Sequence, residues 1–226
     1  MTSADQPDIP VERPRMDADI ICVGFGPASG GFLTTLSRAI LNEDGSTAIE
    51  SPSAPGLPLQ VLCYERSDDL GFGVSGVVTR ARGLRESFPN LDSEQIPMAA
   101  PVTDEKILYL LDPVGASRRP LLMRAADVAI RAAGGILGVK DDAMKLPWTP
   151  DFLNKHGGVI LSMGQFTQWV AQQVMGSGAA QIWPGSPVGE AILEDGGVAG
   201  VRLVDQGATK DGNPSAGLMP GMQVRA

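Results

Sequence analysis

A short apolar strand that runs straight into a glycine-rich turn and out into a helix constrains this chain more than any other feature. Asp19-Ile20-Ile21-Cys22-Val23 leads into Gly24-Phe25-Gly26-Pro27-Ala28-Ser29-Gly30-Gly31, and Phe32-Leu33-Thr34-Thr35-Leu36 then starts a helix. This is the layout in which pyrophosphate oxygens rest on backbone N–H groups at a helix N-terminus. Gly24 permits the sharp turn, and Gly26 has no Cβ to hold a ligand away. Ser29 stands at the third glycine position of the pattern, where close helix–strand packing favours the smallest side chains.

A lone glycine pattern is weak, so the second half of the signal matters. The next strand reads Leu59-Gln60-Val61-Leu62-Cys63-Tyr64-Glu65-Arg66. In a dinucleotide fold the carboxylate at such a strand end accepts hydrogen bonds from ribose hydroxyls, which makes Glu65 the candidate and Arg66 its neighbour in the site. The interval from the glycines exceeds the usual spacing of about 20 residues. Residues 42–58 account for the excess, being polar, rich in Pro, Gly and Ser, and readable as a surface loop. Spacing alone does not separate FAD from NAD.

Hydrophobic residues make up 43% of the chain and charged residues 19%, as in a globular protein with a substantial core. A net charge of −8 argues against nucleic acid as a partner. No run of about 18 apolar residues predicts a membrane-spanning helix, and the N-terminus lacks a signal-peptide pattern. Residues 1–15 read as a disordered leader and 16–226 as one α/β domain with a segment inserted at about 112–150. Cys22 and Cys63 fall in adjacent predicted strands, where a redox pair competes with the plainer reading of small buried hydrophobes. Two cysteines and one histidine cannot build a four-cysteine iron–sulfur or zinc site. His156 precedes a strand and reads as a loop residue.

After Glu65, the run Leu70-Gly71-Phe72-Gly73-Val74-Ser75-Gly76 suggests backbone lying close against a ligand or a neighbouring helix. Residues 79–88 look helical, with Arg80, Arg82 and Arg85 on a basic face. Residues 120–133 form the clearest helix, with Leu121, Leu122, Ala125, Val128, Ala129 and Ala132 in one apolar stripe. Core packing is the default for that stripe, and a membrane-surface or quinone-facing role, suited by Arg118 and Arg119, is the alternative. Strands are expected at 159–163 and 179–183, a helix at 165–175, and a hairpin across Glu194-Asp195-Gly196-Gly197. A polar stretch, 205–220, leads to what reads as the start of a further strand.

Taken together these segments resemble the flavoprotein portion of the electron-transfer-flavoprotein:ubiquinone oxidoreductases. The resemblance is carried by residues 18–31, 61–76 and 84–102, by Leu146-Pro147, by 154–169, by Trp183-Pro184-Gly185 and by 200–222. Pro27-Ala28 after the second glycine is a habit of FAD enzymes of the glutathione-reductase type. The resemblance implies a Rossmann-like FAD/NAD(P)-binding domain with a parallel central sheet and a β-rich extension. It implies FAD held by Gly24, Gly26, Pro27, Ala28, Ser29, Glu65 and Arg66, with Ser75 and Gly76 beside the flavin and Val188 a weaker adenine contact. The implied activity takes electrons from reduced electron-transfer flavoprotein to membrane ubiquinone, with no proton-abstracting residue.

This chain departs from the family in Ser29, in lacking a histidine within 71–76, and in lacking the cysteines of the family's [4Fe–4S] cluster. It is therefore expected to be an N-terminal part of a larger flavoprotein, incomplete at the C-terminus, with a cluster only if a further part supplies the cysteines. An FAD monooxygenase or prenyl reductase relative, or a non-catalytic piece that binds a nucleotide or a partner chain, are the competing readings. The expected location is cytoplasmic, with peripheral contact on the inner face of a membrane.

Overall fold

The computed structural model describes residues 12–42, 44–71, 76–111, 118–208 and 214–226. In chain order the first elements are β1 (Arg15–Asp17), β2 (Ile20–Val23), α1 (Pro27–Ile40), β3 (Val61–Tyr64), β4 (Gly76–Thr79), α2 (Arg82–Ser87), β5 (Ala100–Pro101) and β6 (Leu108–Leu110). Then come α3 (Leu121–Ala132), α4 (Gly134–Leu137), β7 (Val139–Lys140), β8 (Ala143–Lys145), β9 (Val159–Ser162) and α5 (Met163–Gly176). The chain ends with β10 (Gln181–Trp183), β11 (Val188–Glu194), β12 (Gly197–Leu203), β13 (Gln206–Ala208), β14 (Pro214–Met219) and β15 (Gln223–Arg225). These elements form two compact units, one within residues 1–77, 82–99 and 161–226, the other within 78–81 and 100–160. The segment expected at about 112–150 falls inside the second unit.

The first unit is layered around β3. Its parallel sheet has the order β10-β3-β2, with Ile20 opposite Val61 and Cys22 opposite Cys63. All four residues of β3 are buried, which is why Val-Leu-Cys-Tyr reads as a continuous apolar run. Val61 and Cys63 pack with Leu33 and Ile40 of α1 and with Val170 and Val174 of α5. Leu62 and Tyr64 face the other way, onto Ala18 just after β1 and onto Val201 and Val224 of a four-stranded sheet ordered β1-β15-β12-β11. Burying each such aliphatic side chain contributes roughly 1.5–3 kcal/mol. The β11–β12 hairpin turns through Asp195 and Gly196, whose φ values of +49° and +81° suit the tight turn that matches strand twist.

Three expectations shift. The helix after the glycine turn begins at Pro27 rather than Phe32, because proline at the first helical position lacks only an N–H that would be unpaired anyway. The helix expected over 79–88 shrinks to α2. Val77, Val78 and Thr79 are β-branched and lie in β4, and Ala81 at φ +55° separates the two elements. Of the leader expected over 1–15, residues 1–11 lie outside the described residues, and residues 13–15 are held by the rest of the first unit. Arg13 pairs with Asp205, the Gln223 N–H donates to the Pro14 carbonyl at 2.9 Å, and Arg15 opens β1, parallel to β15.

In the second unit β6, β8 and β7 form an antiparallel sheet, and Ala100-Pro101 pairs with Ile160 and Val159. Arg80 donates to the carbonyls of Asn154 (2.8 Å) and Asp151 (2.6 Å), so this member of the expected basic face braces a turn. His156 is an exposed turn residue. Helix α3 is inside out. Leu121, Leu122 and Val128 of its apolar stripe are 80%, 85% and 69% exposed, while Asp127 on the opposite side is buried. Core packing, the default for that stripe, is therefore not what the structure shows.

Candidate functional site

The glycine turn connects the buried sheet to an open helix end. Gly24 has φ +84°, a conformation that costs other residues about 1–2 kcal/mol, and its N–H donates to the Tyr64 carbonyl at 2.7 Å. Phe25 points inward and is buried in the core under α1. Gly26 is the N-cap residue, in extended conformation, with no side chain capping the helix and no acidic residue in the first turn. The first-turn N–H groups of Ala28 and Ser29 thus remain available to an anion, and Pro27 and Ala28 are exposed. A Cβ built on Gly26 would meet nothing within 4 Å, so the space over the turn is open.

The tight approach usually associated with the third glycine falls one residue beyond Ser29. A Cβ on buried Gly30 would lie 3.0 Å from Val170 Cγ1 of α5, so Gly30 lets α1 settle against its neighbouring helix. Gly30 was not singled out from the sequence, although the Gly30-Gly31 pair was its available signal.

Glu65 emerges from β3 directly beside the turn. Its Oε2 accepts from the Phe25 N–H at 2.6 Å and its Oε1 from the Ser67 N–H at 2.9 Å. Partial burial works against the charged form, but the Ser67 and Phe25 N–H groups, the Ser67 hydroxyl and the Arg66 N–H outweigh it and hold the carboxyl below its ordinary value. The carboxylate therefore stays ionised, ties the end of β3 to the glycine turn and keeps lone pairs for a ribose hydroxyl. Phe25 and Ser67 as partners of Glu65 are visible only in three dimensions. Arg66 is exposed beside it.

The loop after Glu65 is pinned on both sides. Ser186 N–H donates to the Glu65 carbonyl (2.8 Å), Gly185 N–H to the Ser67 carbonyl (2.9 Å), and Gln168 Nε2 to Asp69 Oδ1 (3.1 Å). Gly71, at φ +82°, lies so close to the first turn of α5 that a Cβ there would be 2.5 Å from the Gly164 carbonyl oxygen. Ser75 lies outside the described residues, and Gly76 is exposed at the start of β4. The structure thus brings Gly24, Gly26, Pro27, Ala28, Ser29 and Glu65 together at one end of the parallel sheet. A separate cavity of about 580 Å³, lined by Arg38, Phe88, Gln173 and Ser177 among others, lies at the other end of α1.

Cys22 and Cys63 are free and side by side on adjacent strands. Burial, then the proximity of Cys22 and Glu65, pushes the Cys63 thiol up to about 12, which suppresses the reactive thiolate. Among the described residues no three His, Cys, Asp or Glu side chains gather as a metal site, and no helix is long and apolar enough to cross a membrane.

No protein-family model matches the chain. The electron transfer flavoprotein-ubiquinone oxidoreductase of Pseudomonas aeruginosa is 29% identical over 219 residues, covering 96% of this chain and 33% of the relative. The resemblance to that family holds across the chain. The mitochondrial enzyme of the same name from Bos taurus is 25% identical over 218 residues, again 96% of this chain but 29% of the relative. The chain thus spans about a third of the length of the curated relatives it matches. The crystal structure of the flavin-dependent monooxygenase PieE, in complex with FAD and substrate, superposes with a TM-score of 0.51 at 13% identity, over 94% of this chain and 29% of that one. That likeness supports the Rossmann-type flavoprotein fold.

Proposed function

We propose that this chain holds the adenosine-diphosphate part of FAD in a flavoprotein oxidoreductase of the quinone-linked kind. The observation that carries the proposal is the uncapped start of α1 over open space, with Glu65 tied to the same turn through the Phe25 N–H. The N–H groups of Ala28 and Ser29 would take the pyrophosphate, Gly26 would let it approach, and Glu65 would accept from the ribose. Pro27 fixes the helix start, while Arg66 and Gly76 remain candidates at the rim. When bound, FAD supplies the redox chemistry, accepting electrons from a reduced carrier and delivering them to a quinone. By the resemblance the carrier is electron-transfer flavoprotein and the acceptor ubiquinone. The [4Fe–4S] cluster does not fit the cysteines of this chain, which has only Cys22 and Cys63, and no step is assigned to it.

A second surface supports the quinone-linked reading. The outward stripe of α3, with Ile136 and Leu137 of α4 also exposed, suits peripheral contact with a membrane. The test is a visible spectrum of the purified chain after incubation with FAD and desalting. Retained flavin bands near ~370 and ~450 nm support the cofactor assignment. A colourless protein at FAD concentrations that saturate the full-length relatives overturns it.

A further inference from the structure

We infer that α3 meets the membrane through Arg118 and Arg124 and that this contact selects anionic lipid headgroups. The inference rests on the membrane reading of α3 given above and adds the chemistry of the partner. Arg118, Arg119, Arg124 and Arg131 are the four arginines in and just before this helix, and the structure divides them into two pairs.

Arg119 is committed internally. Its guanidinium donates to both carboxylate oxygens of Asp127 at 2.8 Å, to the Tyr109 hydroxyl at 2.9 Å and to the Leu110 carbonyl at 2.6 Å, and lies over the Tyr109 ring. The Tyr109 hydroxyl also donates to Asp127 at 2.6 Å. Arg131 donates to the Leu111 carbonyl and pairs with Asp142 at 3.1 Å. These contacts tie the polar side of α3 to β6 and neutralise Asp127, so the helix is held by its polar side and turns its apolar stripe outward.

Arg118 and Arg124 have no protein partner for their side chains among the described residues, and both are exposed. Each is close in sequence to the outward residues Leu121, Leu122 and Val128. A guanidinium beside an apolar stripe suits a lipid phosphate, since its stem can lie along the acyl boundary while the head stays polar. The chain as a whole carries a charge of −8 and would be repelled by an anionic surface at long range. Salt confines that repulsion to roughly 8 Å at physiological ionic strength, so the local positive pair governs the contact.

The experiment measures binding of the full chain to phosphatidylcholine vesicles with and without 30% phosphatidylserine, at low and high salt. Each free arginine is expected to raise affinity for the anionic vesicles about fivefold. The R118Q/R124Q double variant should lose that preference while binding phosphatidylcholine as the parent does. High salt should erase the difference between parent and variant. Equal parental affinity for both vesicles overturns the headgroup inference and leaves the membrane reading standing. Binding to neither overturns both. A charge preference that survives the double variant, with its helix content unchanged by circular dichroism, places the selectivity elsewhere and also overturns the inference.

Discussion

Gly26→Asp separates what the fold needs from what the ligand needs. Gly26 is already an N-cap in extended conformation, with open space where its Cβ would lie, so an aspartate enters without strain. Its carboxylate can accept from the orphan N–H groups of the first turn, which gains a few tenths of a kcal/mol over glycine as a cap. The favourable position at the helix dipole adds about 0.3–1 kcal/mol. The apo protein should therefore gain about 0.5–1 kcal/mol, a rise of about 1–4 °C in Tm for a chain of this size. The same carboxylate would occupy the donors proposed for pyrophosphate and repel it. At a separation of about 5 Å and an effective dielectric constant near 20, that repulsion is about 3 kcal/mol, more than 100-fold in affinity. Thermal melts of the apo protein and titration with FAD followed by flavin fluorescence read the two effects separately. A variant that gains stability and still binds FAD within about threefold of the parent would refute the placement of pyrophosphate on α1. A variant that loses stability would refute the uncapped helix start.

Glu65 is held below its ordinary carboxylate value, so the stability it contributes is present above the unfolded value near ~4.3 and is lost as pH falls through the lower folded value. FAD affinity should weaken in the same acid range, and E65Q should flatten that dependence in a pH series of titrations; an unaltered profile speaks against Glu65 as the linking carboxylate. Gly71→Ala should cost at least about 2 kcal/mol, since it combines left-handed backbone with a backbone clash at Gly164, and chemical denaturation would show it. A loss under about 0.5 kcal/mol would mean that the loop does not lie against α5. Cys63 should resist a thiol reagent at pH 8 until the chain is unfolded, whereas rapid labelling of the native protein would contradict its burial and raised pKa.

The elements around the candidate site were legible because their signals are local. Four consecutive apolar residues in β3 fit burial on two faces, and the glycine turn gained its meaning from the carboxylate at the end of the next strand. The Asp195-Gly196 turn likewise announced its hairpin. The resemblance to the quinone-linked oxidoreductases rested on the order of such segments, and the comparisons with known proteins agree with it over nearly the whole chain.

The tertiary structure decided what depends on partners distant in sequence. Glu65 was recognisable as a carboxylate at a strand end, but its hold on the Phe25 N–H across 40 positions appears only when β2 and β3 lie side by side. Ser29 filled the expected slot in the glycine pattern, yet close packing falls at Gly30 because α5 approaches there. The stripe of α3 gives the clearest lesson. Periodicity fixes which residues share a helix face, but not whether that face turns inward. Tyr109 and Arg119 hold Asp127 on the side that meets β6, which leaves Leu121 and Leu122 on the exposed side.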